Sequence, residues 1–295
     1  MYMLFNADEV PETIRANLLG LSWSFSHFFL WKGFGILFDC GEQSLRLDTK
    51  VFRADVIALS HGHFDHVRGL VGVLKIRAGL MGATEKPLTV LFPADSELMC
   101  PTIEEAQQYV QSKEWDHVEF RGIRSGDCVE ISGGGLPDAQ QVEHLEDDLC
   151  LAYRVVRERT RLRAEYRHLA KDEVQRRVRE GGRSLLLESF RENEFVYSGD
   201  LIRLDPEFCL ATHVLMHEAS FLRDIDADPE KGWHSTVERA IRCAVAADAR
   251  SLILWHVSRR YDDNEVRDGV RELISEIGYE RPVLCVRGSY NLPTD

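Results

Sequence analysis

Residues 61–66 read His-Gly-His-Phe-Asp-His, three imidazoles and a carboxylate within one short stretch. They follow directly on the apolar run ADVIALS at 54–60. Chain that leaves a strand is still extended, and alternate residues of an extended segment share a face. His61, His63 and Asp65 can therefore point into one cavity, while a turn at 65–66 brings in His66. Imidazole and carboxylate are ligands that zinc and related transition metals accept together. Four of them in so short a loop exceed what one tetrahedral ion takes easily, which points to two metals. For one histidine a solvated polar loop would be the better account. For this pattern directly behind an apolar strand, the metal account is stronger.

Those ligands need a frame, and strands alternate with helices along the chain. HFFLWKGFGILFDCG (27–41) reads as two strands joined by a glycine turn, and LTVLF (88–92) as another strand. TIEEAQQYVQS (102–112) predicts a helix whose Thr102 and Glu105 stand at capping-box spacing. SGGGLPD (132–138) predicts a turn. FVYSGD, THVLMHE and SLILWHV, which close at residues 200, 218 and 257, read as strands ending in polar residues. HSTVERAIRCAVAADA (234–249) has apolar residues at helical spacing, and NEVRDGVRELISEIG a further helix stopped at Gly278. With no repeat, low-complexity tract or proline-rich linker, one layered α/β domain over 1–295 is expected. Its polar residues gather where strands run out, the usual place for a site in such folds.

Composition narrows the class. Hydrophobic residues at 44% and charged residues at 29% suit a soluble globular chain rather than a disordered one. The seven cysteines are scattered, odd in number and without CxxC pairing, which suits reduced thiols. MYMLFNADEV has neither a basic opening nor a long apolar run, so no secretory leader is expected and the cytoplasm is the expected compartment. Apolar stretches such as HFFLWKGFGILF are too short and interrupted to span a bilayer. A net charge of −13 argues against nucleic-acid binding over the whole surface, since phosphate affinity comes from Lys and Arg. One tract departs from this: residues 157–183 hold ten Lys/Arg against five Asp/Glu. It could hold a polyanion, although a bare charge run is usually a solvated helix.

HxHxDH resembles the signature of the metallo-β-lactamase superfamily, and the wider pattern resembles its ribonuclease Z branch, endonucleases that trim tRNA 3′ ends. The matching pieces are ILFDCGE, SHGHFDHVRGL, YSGD, HEASF, HST and WHVSRRY, in that order along the chain. The resemblance implies an αββα sandwich and a dinuclear centre, with zinc expected and manganese or another transition metal possible. His61, His63 and a mid-chain histidine would hold one ion, Asp65, His66 and His256 the other, and Asp200 would bridge. His144, shortly before LAYRV, is the expected mid-chain ligand, although Ala152 stands where the family has glycine; His117 and His168 are the weaker candidates. Each remaining piece has an ordinary reading alone. Asp200 could be a turn residue, His256 a satisfied core histidine, His217-Glu218 a salt-bridged pair, and the HST segment a helix cap. In order and all at strand ends, they favour the site.

By the same resemblance, Asp65 would orient or deprotonate a water activated between two metals, and His234 held by Glu218 would protonate the leaving oxygen. Ser258, Arg259 and Arg260 would contact the substrate, and His213 reads as structural. The expected substrate is precursor tRNA, gripped through 157–183 as a reduced exosite arm or lid by a homodimer off the membrane. That tract lacks the proline of the family's arm, and the N-terminal block lacks its Gly/Ser-rich opening. A small phosphodiester such as a cyclic nucleotide is therefore the alternative substrate, and a non-catalytic RNA-binding scaffold the third reading.

Overall fold

A computed structural model describes residues 2–81, 86–131, 135–144, 149–226 and 233–292. Two seven-stranded sheets face each other. One runs, edge to edge, β14 (Ser289–Tyr290), β2 (Leu18–Trp23), β3 (Ser26–Trp31), β4 (Ile36–Phe38), β5 (Val56–Ala58), β6 (Leu88–Pro93) and β7 (Val118–Ile123). The other runs β1 (Tyr2–Phe5), β13 (Val283–Val286), β12 (Leu252–Trp255), β11 (Val214–Glu218), β10 (Leu187–Tyr197), β9 (Cys150–Leu162) and β8 (Gly135–Val142).

The strands are apolar on both faces because both faces are covered. In β3, Phe29 and Trp31 join the cluster between the sheets, together with Tyr153, Phe195, Tyr197 and Trp255. Their neighbours Phe28 and Leu30 face outward onto α3 (Leu70–Met81) and α4 (Cys100–Ser112), packed with Val73, Leu74 and Ile103. On the far side, Leu252 and Leu254 of β12 pack under α7 (Val237–Ala246) and α8 (Asp263–Ile277). The order helix, sheet, sheet, helix is the expected αββα sandwich. Among the described residues, no helix is long and apolar enough to cross a membrane.

Local details depart from the sequence reading in four places. The helix expected from Thr102 starts at Cys100 with no side-chain cap, because Pro101 already occupies its first turn. Of the expected SGGGLPD turn, residues 132–134 lie outside the described residues, while Gly135 onward is strand β8 paired with β9. The turn that brings in His66 is helical, α2 (Phe64–Val67). In the basic tract, RERTRL belongs to β9, which pairs with β10 from Tyr153↔Tyr197 out to Leu162↔Leu187 as a long antiparallel ribbon. Only beyond that pairing do α5 (Lys171–Gly181) and α6 (Arg183–Leu186) close the ribbon, with α5 bounded by Gly182.

The parallel neighbours β4–β5 and β10–β11–β12 end at one edge of the sandwich, where ligands bind in open α/β sheets. That edge is tightly built. Gly199, between Tyr197 and Asp200, has φ +60°, and an added Cβ would meet Cys150 Sγ and Ser60 Cβ at 2.9 Å. Gly199→Ala is expected to cost about 2 kcal/mol or more through the left-handed backbone and the clash, read as a lowered urea midpoint; an unchanged midpoint would show that the turn relaxes freely.

Candidate metal centre

Eight of the histidine, aspartate and glutamate side chains named from the sequence converge at this edge from separate elements. His61 and His63 leave β5, while Asp65 and His66 ride on α2. Asp200 follows β10, Glu218 closes β11, and His256 follows β12 with φ +64°. His144, just before β9, arrives from the opposite side. The ninth, His234, sits shortly before the α7 N-cap Thr236.

Ligand atoms of His61, His63, His144 and Asp200 lie within 4.8 Å of one another, as do those of Asp65, His66, His256 and one further residue, His27. A third overlapping group joins Asp200, His234 and His256. Asp200 Oδ2 sits between the sets, 3.9 Å from His61 Nε2, 3.5 Å from His66 Nε2 and 3.4 Å from His256 Nε2.

The rings are oriented by their other nitrogens. His66 Nδ1 donates to Asp39 Oδ2 at 2.6 Å. Ser60 Oγ gives its proton to the same carboxylate at 2.9 Å and so accepts from His61 Nδ1, also at 2.9 Å. His144 Nδ1 donates to the Trp233 carbonyl at 2.5 Å, and His256 Nδ1 to Ser220 Oγ at 2.7 Å. Each Nε2 lone pair is thereby turned toward the cavity. This outer ring of carboxylate, carbonyl and hydroxyl acceptors is how metal-binding histidines are held.

The residues fit a cation. His61 Nε2, His66 Nε2 and Asp200 Oδ1 are buried without a hydrogen-bond partner, a costly state unless something shares those lone pairs. Charge points the same way. Burial opposes a charge on His66, yet Asp200, Asp39 and Asp65 hold it well above the ordinary imidazole range. Burial likewise opposes ionisation of Asp200, but His256 and His66 hold it well below the usual carboxylate range.

Glu218 is fully buried and anchored by three amides, Ser235 N at 2.8 Å, Ser220 N at 3.0 Å and Leu201 N at 3.3 Å. It accepts from His234 Nδ1 at 3.1 Å. Burial disfavours the imidazolium, but Glu218 and Asp200 outweigh it and push His234 up to about 9. The carboxylates thus favour the protonated form of His234 beside the metal-ligand cluster. Its ring stacks on His256 at 4.8 Å.

Beside the centre lies a cavity of about 310 Å³ whose lining includes Trp23, Phe221, His234, Ser258, Arg259 and Arg260. The Arg259 guanidinium lies 3.7 Å from the Trp23 ring centre and that of Arg260 4.7 Å from Phe221. The weaker histidines fall elsewhere: His117 packs on Trp115, and His168 is exposed on the ribbon's end. His213 bonds Glu192 at 2.7 Å, away from the centre.

Sequence reasoning missed three contributors. His27 is a lone histidine heading an apolar strand, and only its alternation with the inward Phe29 and Trp31 would have signalled it. Asp39 was noticed within FDCG without a role. Tyr197 reaches Asp39 Oδ2 at 2.6 Å from the other sheet.

Fold and centre together define a metal-dependent hydrolase. A family model described as "Beta-lactamase superfamily domain" matches residues 35–257, and the chain belongs to that superfamily. It is 29% identical to the ribonuclease Z of Shouchella clausii (strain KSM-K16) over 265 residues, 82% of this chain and 83% of that one. It is 28% identical to the ribonuclease Z of Bacillus cereus (strain G9842), over 80% and 82% of the two chains. Among solved structures, the metallo-β-lactamase fold protein YhfI from Bacillus subtilis superposes with TM-score 0.59 at 17% identity, covering 93% of this chain and 98% of that one. The short form of human tRNase Z gives 0.56 at 18%, covering 83% and 93%.

Asp39→Asn keeps the side chain's shape but turns an acceptor into a donor against His66 and Ser60. It is expected to weaken metal binding about 10- to 100-fold, measured by competition with a chromogenic chelator; wild-type affinity would mean the rings need no carboxylate to orient them.

Proposed function

We propose that this chain is a two-metal phosphodiesterase of ribonuclease Z type that cleaves the 3′ trailer of precursor tRNA. The observation that carries the reading is the His234–Glu218 pair beside Asp200, because it offers an acid to a poor leaving group such as a ribose 3′-oxygen. Thioester hydrolysis, whose thiolate leaves without a proton, needs no such pair.

His61, His63 and His144 with Asp200 would hold one divalent ion, and Asp65, His66 and His256 with Asp200 the other. Imidazole-rich sets suit zinc, with manganese a substitute in reconstitution because carboxylates contribute to both. Bound there, the ions supply positive charge that eases ionisation of water and neutralises the phosphodiester. Asp65, whose Oδ2 lies 3.5 Å from His66 Nε2, would orient the attacking water and take its proton. His234 delivers the proton at the departing oxygen, and Glu218 keeps its Nδ1–H turned away so that Nε2 faces the substrate. Ser258, Arg259 and Arg260 line the cavity where flanking phosphate and base would sit.

The ribbon supports RNA over a smaller substrate, in a way that differs from the raw charge count. Arg157, Arg159 and Arg161 are paired with Glu194, Glu192 and Glu188 of the partner strand, and Glu173 binds Arg176 and Arg177. Among the described residues, Arg163, Lys171, Arg179 and Arg183 face no carboxylate partner, and all four lie beyond the paired strands. The basic character is thus concentrated at the ribbon's far end, suited to a phosphate backbone held away from the cut. The cavity's volume also suits a free nucleotide, so a cyclic nucleotide is the second reading.

Three outcomes test this. Asp65→Ala should abolish turnover of bis(p-nitrophenyl) phosphate and of 3′-extended tRNA; normal turnover would sink the mechanism. His234→Ala should slow tRNA cleavage by roughly 10²- to 10⁴-fold, yet change bis(p-nitrophenyl) phosphate turnover by less than about tenfold, since p-nitrophenolate leaves without a proton. Equal losses on both would remove His234 as the acid. Replacing Arg163, Lys171, Arg179 and Arg183 by alanine should flatten the salt dependence of tRNA binding by up to about four phosphate contacts and leave the small diester untouched. Wild-type tRNA binding in that variant, with rapid cyclic-nucleotide hydrolysis, would favour the second reading.

A further inference from the structure

His27 belongs to neither ligand set expected from the sequence, yet it is buried at the heart of the second one. It stands at the start of β3, is 2% exposed, and its ring packs near-parallel to those of His66 and His256, with centroids 5.0 and 4.3 Å away and planes within about 26°. Trp255 meets it edge-on at 5.4 Å. Nδ1 lies 3.3 Å from Ser22 Oγ, and the same hydroxyl accepts the His256 amide at 2.9 Å. One serine therefore ties the His27 ring to the backbone that carries His256.

The other nitrogen is the telling one. His27 Nε2 is buried with no hydrogen-bond partner. It lies 3.5 Å from Asp65 Oδ2, too far for a good hydrogen bond. The ligand atoms of His27, Asp65, His66 and His256 all lie within 4.8 Å of one another. Near-parallel imidazoles with unpaired nitrogens gathered beside one carboxylate share a cation more readily than they share nothing.

We propose that His27 Nε2 is a direct protein ligand of the second metal, completing the set Asp65, His66 and His256. This rests on the two-metal reading above. The two positions then differ in kind. The first has three imidazoles and the shared Asp200, while the second has three imidazoles, Asp65 and the shared Asp200. Five protein donors leave the second ion few exchangeable positions and favour a divalent transition metal that tolerates five or six ligands.

The experiment uses the full chain, loaded with Zn²⁺ or Co²⁺ and dialysed against graded chelator, with metal counted by mass spectrometry. Fewer than two equivalents in the wild type would overturn the two-metal reading itself, whatever His27 does. Given two, His27→Phe, which keeps a ring in the stack, and His27→Gln should each hold the first equivalent as tightly as wild type. Each should release the second at about 10- to 100-fold lower chelator concentration, with a stronger visible Co²⁺ absorption as the coordination number falls. Wild-type retention and an unchanged Co²⁺ spectrum in both would make His27 a packing residue and overturn the proposal. Wild-type protein loaded with an NMR-active cadmium isotope needs no variant to fold. A scalar coupling from cadmium to His27 Nε2 is expected, and its absence beside couplings to His66 and His256 would also overturn the assignment.

Discussion

Four donors converge on the buried carboxylate of Asp39: the Ser60 amide at 2.7 Å, the Ser60 hydroxyl, His66 Nδ1 and the Tyr197 hydroxyl. A carboxylate without water is costly unless its lone pairs are filled. These four fill them from β5's exit, α2 and the opposite sheet. Because Asp39 takes the proton of Ser60, the serine's remaining lone pair is left for His61. One anion thus sets the tautomers of two histidines on different elements. Tyr197 is wedged in place by Phe38 at 5.0 Å and Trp255 at 5.1 Å. The apolar layer between the sheets and the aim of the site's nitrogens are therefore one construction, and a change in core packing would be felt as a change in ring orientation.

Glu218 plays the corresponding part on the second sheet with a different result. Its amide anchors fix a negative charge in a buried position, and that charge favours the cationic form of His234. Asp39 and Glu218 are both fully buried, but the first turns lone pairs toward the cavity and the second turns a proton toward it. On the function proposed here, nucleophile and leaving group need these opposite aids, and each sheet would supply one across a cleft whose buried nitrogens lack partners.

Much of this was legible in the sequence, for physical reasons that differ residue by residue. His61, His63, Asp65 and His66 sit together behind an apolar strand, and Asp200, Glu218 and His256 each close one. Strands buried on both faces are readable as unbroken apolar runs, so the polar residue that ends each run stands out. His27 has the reverse setting, at the start of such a run, where a lone histidine looks like core. Asp39 was visible, but its role depends on Tyr197, 158 positions away in sequence. The ribbon strand RERTRL was read as part of a charge run because both its faces meet solvent and side-chain alternation carries no hydrophobic signal. The acids that neutralise it stand on β10, which no local reading of 157–183 contains. At α4 the Thr102–Glu105 spacing was a false cap, since Pro101 had already set the first turn.

On the function proposed here, chemistry and recognition are carried by parts of different stiffness and charge. The centre is held by buried anchors in both sheets, whereas the end of the ribbon rests on strand pairing, and α5 buries no residue at all. A chain of net charge −13 repels a polyanion over most of its surface, and paired arginines along the ribbon do little to offset that. Unpaired cations beyond the strands are then the favourable landing place, and the acidic body disfavours other registers. Screening acts strongly on such exposed contacts and weakly on groups buried in the centre. Salt should therefore act on how RNA is held far more than on how the bond is cut, which separates the two halves of the activity in one solution variable.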